Sequence, residues 1–320
     1  MDVAGVSKMR FIDLFAGVGG FRYALENACA EARLRAECVF SSEIDAECQK
    51  TYRENFGETP YGDITTLAET SVPDHDILLA GFPCQPFSII GRMRGFEDTR
   101  GTLFFDIARI LKVKKPKAFV LENVKLLVGH NQGKTLATIL KTLDDLGYGV
   151  EFRVLNALDF GLPQKRERVF IVGFRNPVEF LWPSGGVPMR PLDEILEENT
   201  PENFRVSERI REKRLAKHPP AEMTGKPMIW HENKSGNVSV HPFSCALRAG
   251  ASYNYLLVDG ERRLTAREMF RLQGFPEKFK ITSSYSRARK QAGNSLPVPV
   301  AEAVVKNTIE ALRKNRKEND

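Results

Sequence analysis

Along the first 175 residues, short apolar runs alternate with stretches whose apolar residues recur at helical spacing. Arg10–Phe15, Cys38–Ser42, Asp76–Ala80 and Ala118–Leu121 predict buried strands, each followed by turn residues or a polar segment. Between them, Tyr23–Ala30, Ala46–Asn55, Leu103–Leu111 and Thr135–Leu146 predict amphipathic helices. Glu151–Leu155 and Val169–Phe174 predict later strands of the same sheet. Strand–helix alternation of this kind implies an α/β fold, a doubly wound and mostly parallel sheet covered on both faces.

The texture changes after Phe174. Pro177, Pro183, Pro188, Pro191 and Pro201 punctuate the chain, and Asp193, Glu194, Glu197 and Glu198 form an acidic patch. A boundary is expected near residue 190. Val300–Leu312 is helical in pattern but has no strand partner nearby in sequence. The expected division is therefore residues 1–190 plus 290–320 as one domain, with 191–289 as a second, smaller and strand-rich one.

Charge and cysteine usage narrow the classes. The net charge is +6, and residues 203–290 hold 18 Lys and Arg against 8 Asp and Glu. A basic segment on a mildly acidic body suggests a module that faces a polyanion. The five cysteines, at 29, 38, 48, 84 and 245, form no C-x-x-C pair, so neither a disulfide framework nor a zinc site is expected. No apolar run approaches the roughly 20 residues of a membrane span. Met1 to Arg10 has no apolar core of a secretory signal, and the expected location is cytoplasmic.

Two constellations carry candidate chemistry. The first is Phe11-Ile-Asp-Leu-Phe-Ala-Gly-Val-Gly-Gly-Phe21, a strand running into a glycine-rich turn and a helix. Gly17, Gly19 and Gly20 allow a tight turn and close approach of a ligand, and the helix start favours an anionic group such as a carboxylate. Glu43, after the second strand, is placed to accept hydrogen bonds from both hydroxyls of a ribose. Asp63, in Gly62-Asp63-Ile64, could accept from an adenine amino group. The spacing G-x-G-G departs from the dinucleotide fingerprint and points to a nucleoside cofactor without a pyrophosphate clamp.

The second constellation begins with Gly81-Phe82-Pro83-Cys84-Gln85-Pro86-Phe87-Ser88, a proline-braced loop directly after a strand. Active sites of this architecture lie at the carboxyl edge of the sheet. The next strand ends in Glu122-Asn123-Val124, and adjacent strand ends would bring Glu122 near Cys84. Gln164-Lys165-Arg166-Glu167-Arg168 opens a later strand, where Arg166 and Arg168 would face the same side.

These motifs, in this order, resemble those of the DNA (cytosine-5)-methyltransferases along nearly the whole chain. Toward the C-terminus the likeness continues through Arg263-Leu264-Thr265-x-x-Glu268, Leu272-Gln273-Gly274-Phe275-Pro276 and Gln291-x-Gly293-Asn294-Ser295. The resemblance implies an S-adenosylmethionine-dependent enzyme of bacterial or phage type II modification systems, with S-adenosylhomocysteine as product and no metal. Cys84 would attack C6 of a flipped-out cytosine, Glu122 would bond N3 and the exocyclic amine, Arg168 would contact O2, and Arg166 would help hold the site together. Phe21 would stack on adenine, and the cofactor set would also take in Phe15, Ile44, Ile64 and Asn294. Gln85 and Ser88, together with Arg92, Arg94 and Arg100 of a glycine-rich closing loop, would contact DNA.

In this family the 191–289 segment is the target-recognition domain and hinge, where Arg248, Asn254 and Tyr253 are candidate base contacts. The expected partner is double-stranded DNA, bound by a monomer, with a cognate restriction endonuclease acting separately. One departure is Ala246, where many members carry threonine before leucine. RNA cytosine-5 methyltransferases usually place a second cysteine where Glu122 stands. Amino-methyltransferases need an Asp/Asn/Ser-Pro-Pro-aromatic loop, which His218-Pro219-Pro220-Ala221 does not provide. A purely DNA-binding protein would have no use for an aligned thiol and carboxylate.

Overall fold

The computed structural model describes residues 7–83, 103–217 and 226–319. In chain order its elements are β1 (Lys8–Leu14), α1 (Gly20–Glu31), β2 (Arg35–Ser42), α2 (Ala46–Phe56), β3 (Ile77–Gly81), α3 (Leu103–Lys114), β4 (Ala118–Val124), α4 (Leu126–Gly129), α5 (Lys134–Asp145), β5 (Gly149–Asn156), β6 (Gln164–Lys165) and β7 (Glu167–Phe174). There follow α6 (Glu208–Lys217), β8 (Ile229–Glu232), β9 (Val238–His241), β10 (Ser244–Cys245), β11 (Leu256–Val258), β12 (Arg262–Arg263), α7 (Ala266–Leu272), α8 (Tyr285–Asn294) and α9 (Val298–Asn319).

The chain forms two compact units. The first comprises Met1–Leu155, Glu167–Ser184 and Val300–Asp320, and the second Asn156–Arg166 and Gly185–Pro299. The first unit thus gives up Asn156–Arg166, which the apolar pattern had assigned to it, and regains the chain at Val300 rather than at 290.

The first unit is built on a six-stranded sheet of order β2-β1-β3-β4-β7-β5. β1 pairs in parallel with β2 and β3, and β3 with β4, whereas β7 runs antiparallel to β4. The central strands are apolar on both faces, as helices on both sides require. Ile12 and Leu14, Leu78 and Ala80, and Phe119 and Leu121 share a cluster with Phe104, Ile107 and Leu111 of α3 and Ile139 and Leu143 of α5. α2 begins at Asp45, whose side chain accepts from the Glu47 and Cys48 amides, and stops at Gly57 with φ 77°.

The second unit holds a four-stranded sheet of order β12-β11-β8-β9, a short parallel β10–β6 pair and helices α6 to α8. Its strands are two to four residues long, so its core depends heavily on helix and loop packing. Glu268 is fully buried and bidentate with Arg262, at 2.9 and 2.8 Å, while it closes a capping box with Thr265 at the start of α7.

Candidate active site

In the first unit, β1 ends at Leu14 and enters the glycine turn through Phe15, which has φ 55°. Gly17 has φ 55° and no heavy atom within 4 Å of where a Cβ would stand, so its backbone faces open space. Gly19, with φ 89°, caps α1 and lies against the Phe56 ring, which a Cβ would strike. Glycine is required there on both counts.

Glu43 is tied to this turn. Its Oε2 accepts from the Gly17 amide at 2.8 Å and its Oε1 from the Asp45 amide at 2.8 Å. Burial pushes its carboxyl above the ordinary value, and these amides pull it back toward the charged form. Ile44 beside it is 71% exposed, whereas Ile64 and Phe21 are buried.

The Asp63 Oδ1 accepts from the amide and hydroxyl of Thr65, at 2.9 and 2.8 Å, which holds its carboxyl below the ordinary range. Arg109 of α3 fastens this segment by donating to the Ile64 and Leu67 carbonyls, each at 2.6 Å. The turn, an acid locked beneath it and a second oriented acid suit a nucleoside carrying a charged amino-acid end. Among the described residues no cluster of three or more His, Cys, Asp or Glu could hold a metal ion.

The adjacent strand ends carry the second group. Gly81 of β3 pairs with Glu122 of β4, and Val124 with Arg168 of β7. The Arg168 Nε donates to the Glu122 Oε1 at 2.9 Å, with side-chain exposures of 12% and 11%. Burial holds the Arg168 guanidinium below its ordinary value and the Glu122 charge opposes the shift. The Glu122 Oε2 lies 3.6 Å from the Cβ position of Gly81, so the second oxygen faces the strand end that leads to Pro83.

Asn123 is buried and donates through Nδ2 to the Phe82 carbonyl at 2.9 Å, while its Oδ1 accepts from the Val124 amide at 2.8 Å. It ties the carboxylate-bearing strand end to the backbone two residues before Cys84. Cys84, Gln85, Ser88, Arg92, Arg94 and Arg100 lie outside the described residues.

Arg166 does not share the surroundings of Arg168. It falls between β6 and β7, in the second unit, and is 1% exposed. Its NH1 donates to the Leu247 carbonyl at 2.8 Å, and its NH2 to the Gly293 and Ser295 carbonyls at 3.0 and 2.5 Å. Counting two residues along one extended strand had put both arginines on one side. Arg166 lies between β6 and β7 and Arg168 within β7, and their hydrogen-bond partners belong to different segments.

Asn294 is exposed at the end of α8, and a Cβ on Gly293 would strike the backbone of Arg248 and Ala249. Arg248 is exposed and its guanidinium carbon lies 4.8 Å from the centre of the Tyr255 ring. Tyr253 is 45% exposed under the Arg289 guanidinium, and Asn254 accepts from the Arg263 Nε at 2.8 Å.

Sequence reasoning passed over Asn123, Arg109 and Asp13. Each had a visible signal. Asn123 sits within the Glu-Asn-Val triplet, Arg109 interrupts the apolar run Ile107–Leu111, and Asp13 interrupts an apolar strand.

Comparison with known proteins shows the family of the chain. The family described as C-5 cytosine-specific DNA methylase matches residues 9–310. The chain is 55% identical over 316 residues to the type II methyltransferase M.NgoBI of Neisseria gonorrhoeae, covering 96% of each. It is 52% identical over 309 residues to M.HaeII of Haemophilus aegyptius, covering 96% of this chain and 95% of the relative. The crystal structure of the S. pombe Dnmt2 methyltransferase shares the fold, with a TM-score of 0.71 at 22% identity over 95% of this chain and 99% of that one. The chain therefore belongs to the C-5 cytosine-specific DNA methylases and is a DNA (cytosine-5-)-methyltransferase.

Proposed function

We propose that this chain transfers the methyl group of S-adenosylmethionine to C5 of a flipped-out cytosine in a specific short DNA sequence, as the modification enzyme of a type II restriction-modification system. The observation that carries this reading is the Glu122–Arg168 pair, set at strand ends beside the segment that enters Pro83-Cys84-Gln85. The type II relatives support the modification role. The substrate is double-stranded DNA, the enzyme works as a monomer, and any restriction endonuclease acts separately. Among the described residues no helix is long and apolar enough to cross a membrane.

S-adenosylmethionine, when bound, supplies an electrophilic methyl group on a sulfonium. Glu43 accepts from the ribose hydroxyls while the Gly17 and Asp45 amides keep its carboxylate oriented. Asp63, with Oδ1 already engaged by Thr65, presents Oδ2 to the adenine amine. Phe15, Phe21, Ile44 and Ile64 supply apolar contact, and Asn294 completes the cofactor set.

The Cys84 thiolate adds to C6 of cytosine, forming an S–C6 bond and driving electron density to C5. Glu122 accepts from the exocyclic amine and holds a proton at N3, which offsets the charge developing in the ring. Arg168 fixes the Glu122 carboxyl and contacts O2. Once C5 carries the methyl group, its proton leaves to a base, the C5–C6 double bond re-forms as the thiolate departs, and N3 returns its proton to Glu122. Arg166 holds the Leu247 and Ser295 segments rather than the base. Gln85, Ser88, Arg92, Arg94, Arg100 and Arg248 contact DNA, and residues 191–289 form the target-recognition domain and hinge.

Bisulfite sequencing of unmethylated DNA after incubation with protein and S-adenosylmethionine tests the reading. The expected result is protection of one cytosine within a short recurring sequence. Absence of protection by folded, cofactor-binding protein would overturn it. Methylation by Cys84→Ser at the parental rate would overturn the covalent route.

A further inference from the structure

Asp63 caps a single 3-10 turn, Ile64–Thr66. So short a turn has too few internal hydrogen bonds to persist alone, and its shape depends on what grips it. At the amide end the Asp63 Oδ1 accepts from the Thr65 amide and hydroxyl. At the carbonyl end the Ile64 oxygen accepts from the Leu67 amide at 3.2 Å. Arg109 donates to that same Ile64 oxygen and to the Leu67 carbonyl, each at 2.6 Å. An acid therefore holds one end of the turn and a guanidinium the other.

Arg109 has little freedom of its own. Its Nε donates to Asp106, three residues earlier on α3, at 2.9 Å, and its Nη1 pairs with Glu69 at 3.0 Å. Two carbonyls and two carboxylates thus fix the plane of the guanidinium, a geometry that a lysine ammonium cannot copy. α3 is a firm base, because Phe104, Ile107, Ala108, Ile110 and Leu111 are each no more than 1% exposed. Lys114 adds a second tie from α3, donating to the Thr70 carbonyl at 3.3 Å. All of these residues belong to the first unit.

We infer that Arg109 is a positioning residue for adenine selectivity: it holds the turn so that the Asp63 Oδ2 meets the adenine amine. The inference rests on the reading that S-adenosylmethionine binds here with its amine at Asp63. Arg109 acts through the backbone of the turn and not on the ligand. Ile64 is packed into the core at 3% exposure, so loss of Arg109 leaves it anchored while the carbonyl end is released. A hydrogen bond weakens steeply with misalignment, whereas apolar contact is non-directional. The amine contact is therefore lost before general affinity for the nucleoside.

The test is calorimetric binding of S-adenosylhomocysteine and of its purine analogue, in which hydrogen replaces the adenine amino group, to the intact protein. The parent is expected to prefer the adenine ligand by roughly tenfold to a hundredfold, as a bond to a charged acceptor implies. Arg109→Ala should reduce that preference by about threefold to tenfold, mainly through weaker binding of the adenine ligand. Arg109→Lys should fall between the two, and it serves alone if the alanine variant does not fold. If the preference is unchanged in the folded variants, because both affinities fall equally or neither falls, Arg109 only supports the fold and the inference is overturned. A parent that binds both ligands equally would instead remove Asp63 from the adenine amine, and this inference with it. A folded parent that binds neither would sink the cofactor reading itself.

Discussion

Replacing Arg166 by lysine separates a holding role from a chemical one. The guanidinium spans three carbonyls, those of Leu247, Gly293 and Ser295, at 2.8, 3.0 and 2.5 Å, from within a pocket that leaves it 1% exposed. They are reached from two different guanidinium nitrogens, and a single ammonium cannot span both positions with the same geometry. A hydrogen bond from a charged donor contributes about 1.5–3 kcal/mol, so losing two of the three costs roughly 3–5 kcal/mol after relaxation. That is a large share of the about 5–15 kcal/mol that holds a domain folded.

Urea unfolding followed by fluorescence is the assay. Trp230 is buried in β8 of the second unit and reports on it, while Trp182 belongs to the first unit. The expected result is an early transition in the Trp230 signal and methyl transfer that recovers on cooling. An unchanged transition together with lost transfer at every temperature would refute the reasoning and place Arg166 on the substrate.

Other perturbations have equally definite outcomes. Glu43→Gln removes the charge from an acceptor held by two amides, and cofactor affinity measured by calorimetry should fall about tenfold, equivalent to 1.4 kcal/mol; an unchanged affinity would take Glu43 out of the site. Gly19→Ala drives a Cβ into the Phe56 ring at φ 89°, and thermal unfolding should show a loss of about 1–3 kcal/mol; an unchanged melting temperature would contradict the packing. The Asp13 carboxyl is raised in the folded state, so its contribution to stability is complete below pH 3.8 and is lost as pH climbs to and through about 8. Asp13→Asn should therefore flatten the decline of urea midpoints across pH 6–8, and identical slopes in parent and variant would show that Asp13 does not titrate there. Asn123→Ala frees the Phe82 carbonyl, so transfer should slow with cofactor affinity unchanged, checked by single-turnover rates beside calorimetry.

The order of chemical motifs was legible in the chain because the chemistry fixes residue identity. A thiol on a proline-braced loop, an acid at the next strand end and glycines at a turn must be spelled out in sequence. Alternation of apolar runs likewise yielded the sheet and its helices, since burial on both faces imposes a local pattern. The β4–β7 pairing could not be read that way. Parallel and antiparallel neighbours bury the same side chains, and only tertiary packing ran β7 antiparallel to β4 so that Val124 pairs with Arg168. Packing likewise enclosed Arg166 in the carbonyls of residues 81 to 129 positions away, and buried Asp13 beside Arg22 of α1. Local sequence specifies which groups are available and which face they occupy; the partner each one meets, or lacks, is decided by contacts between segments distant along the chain.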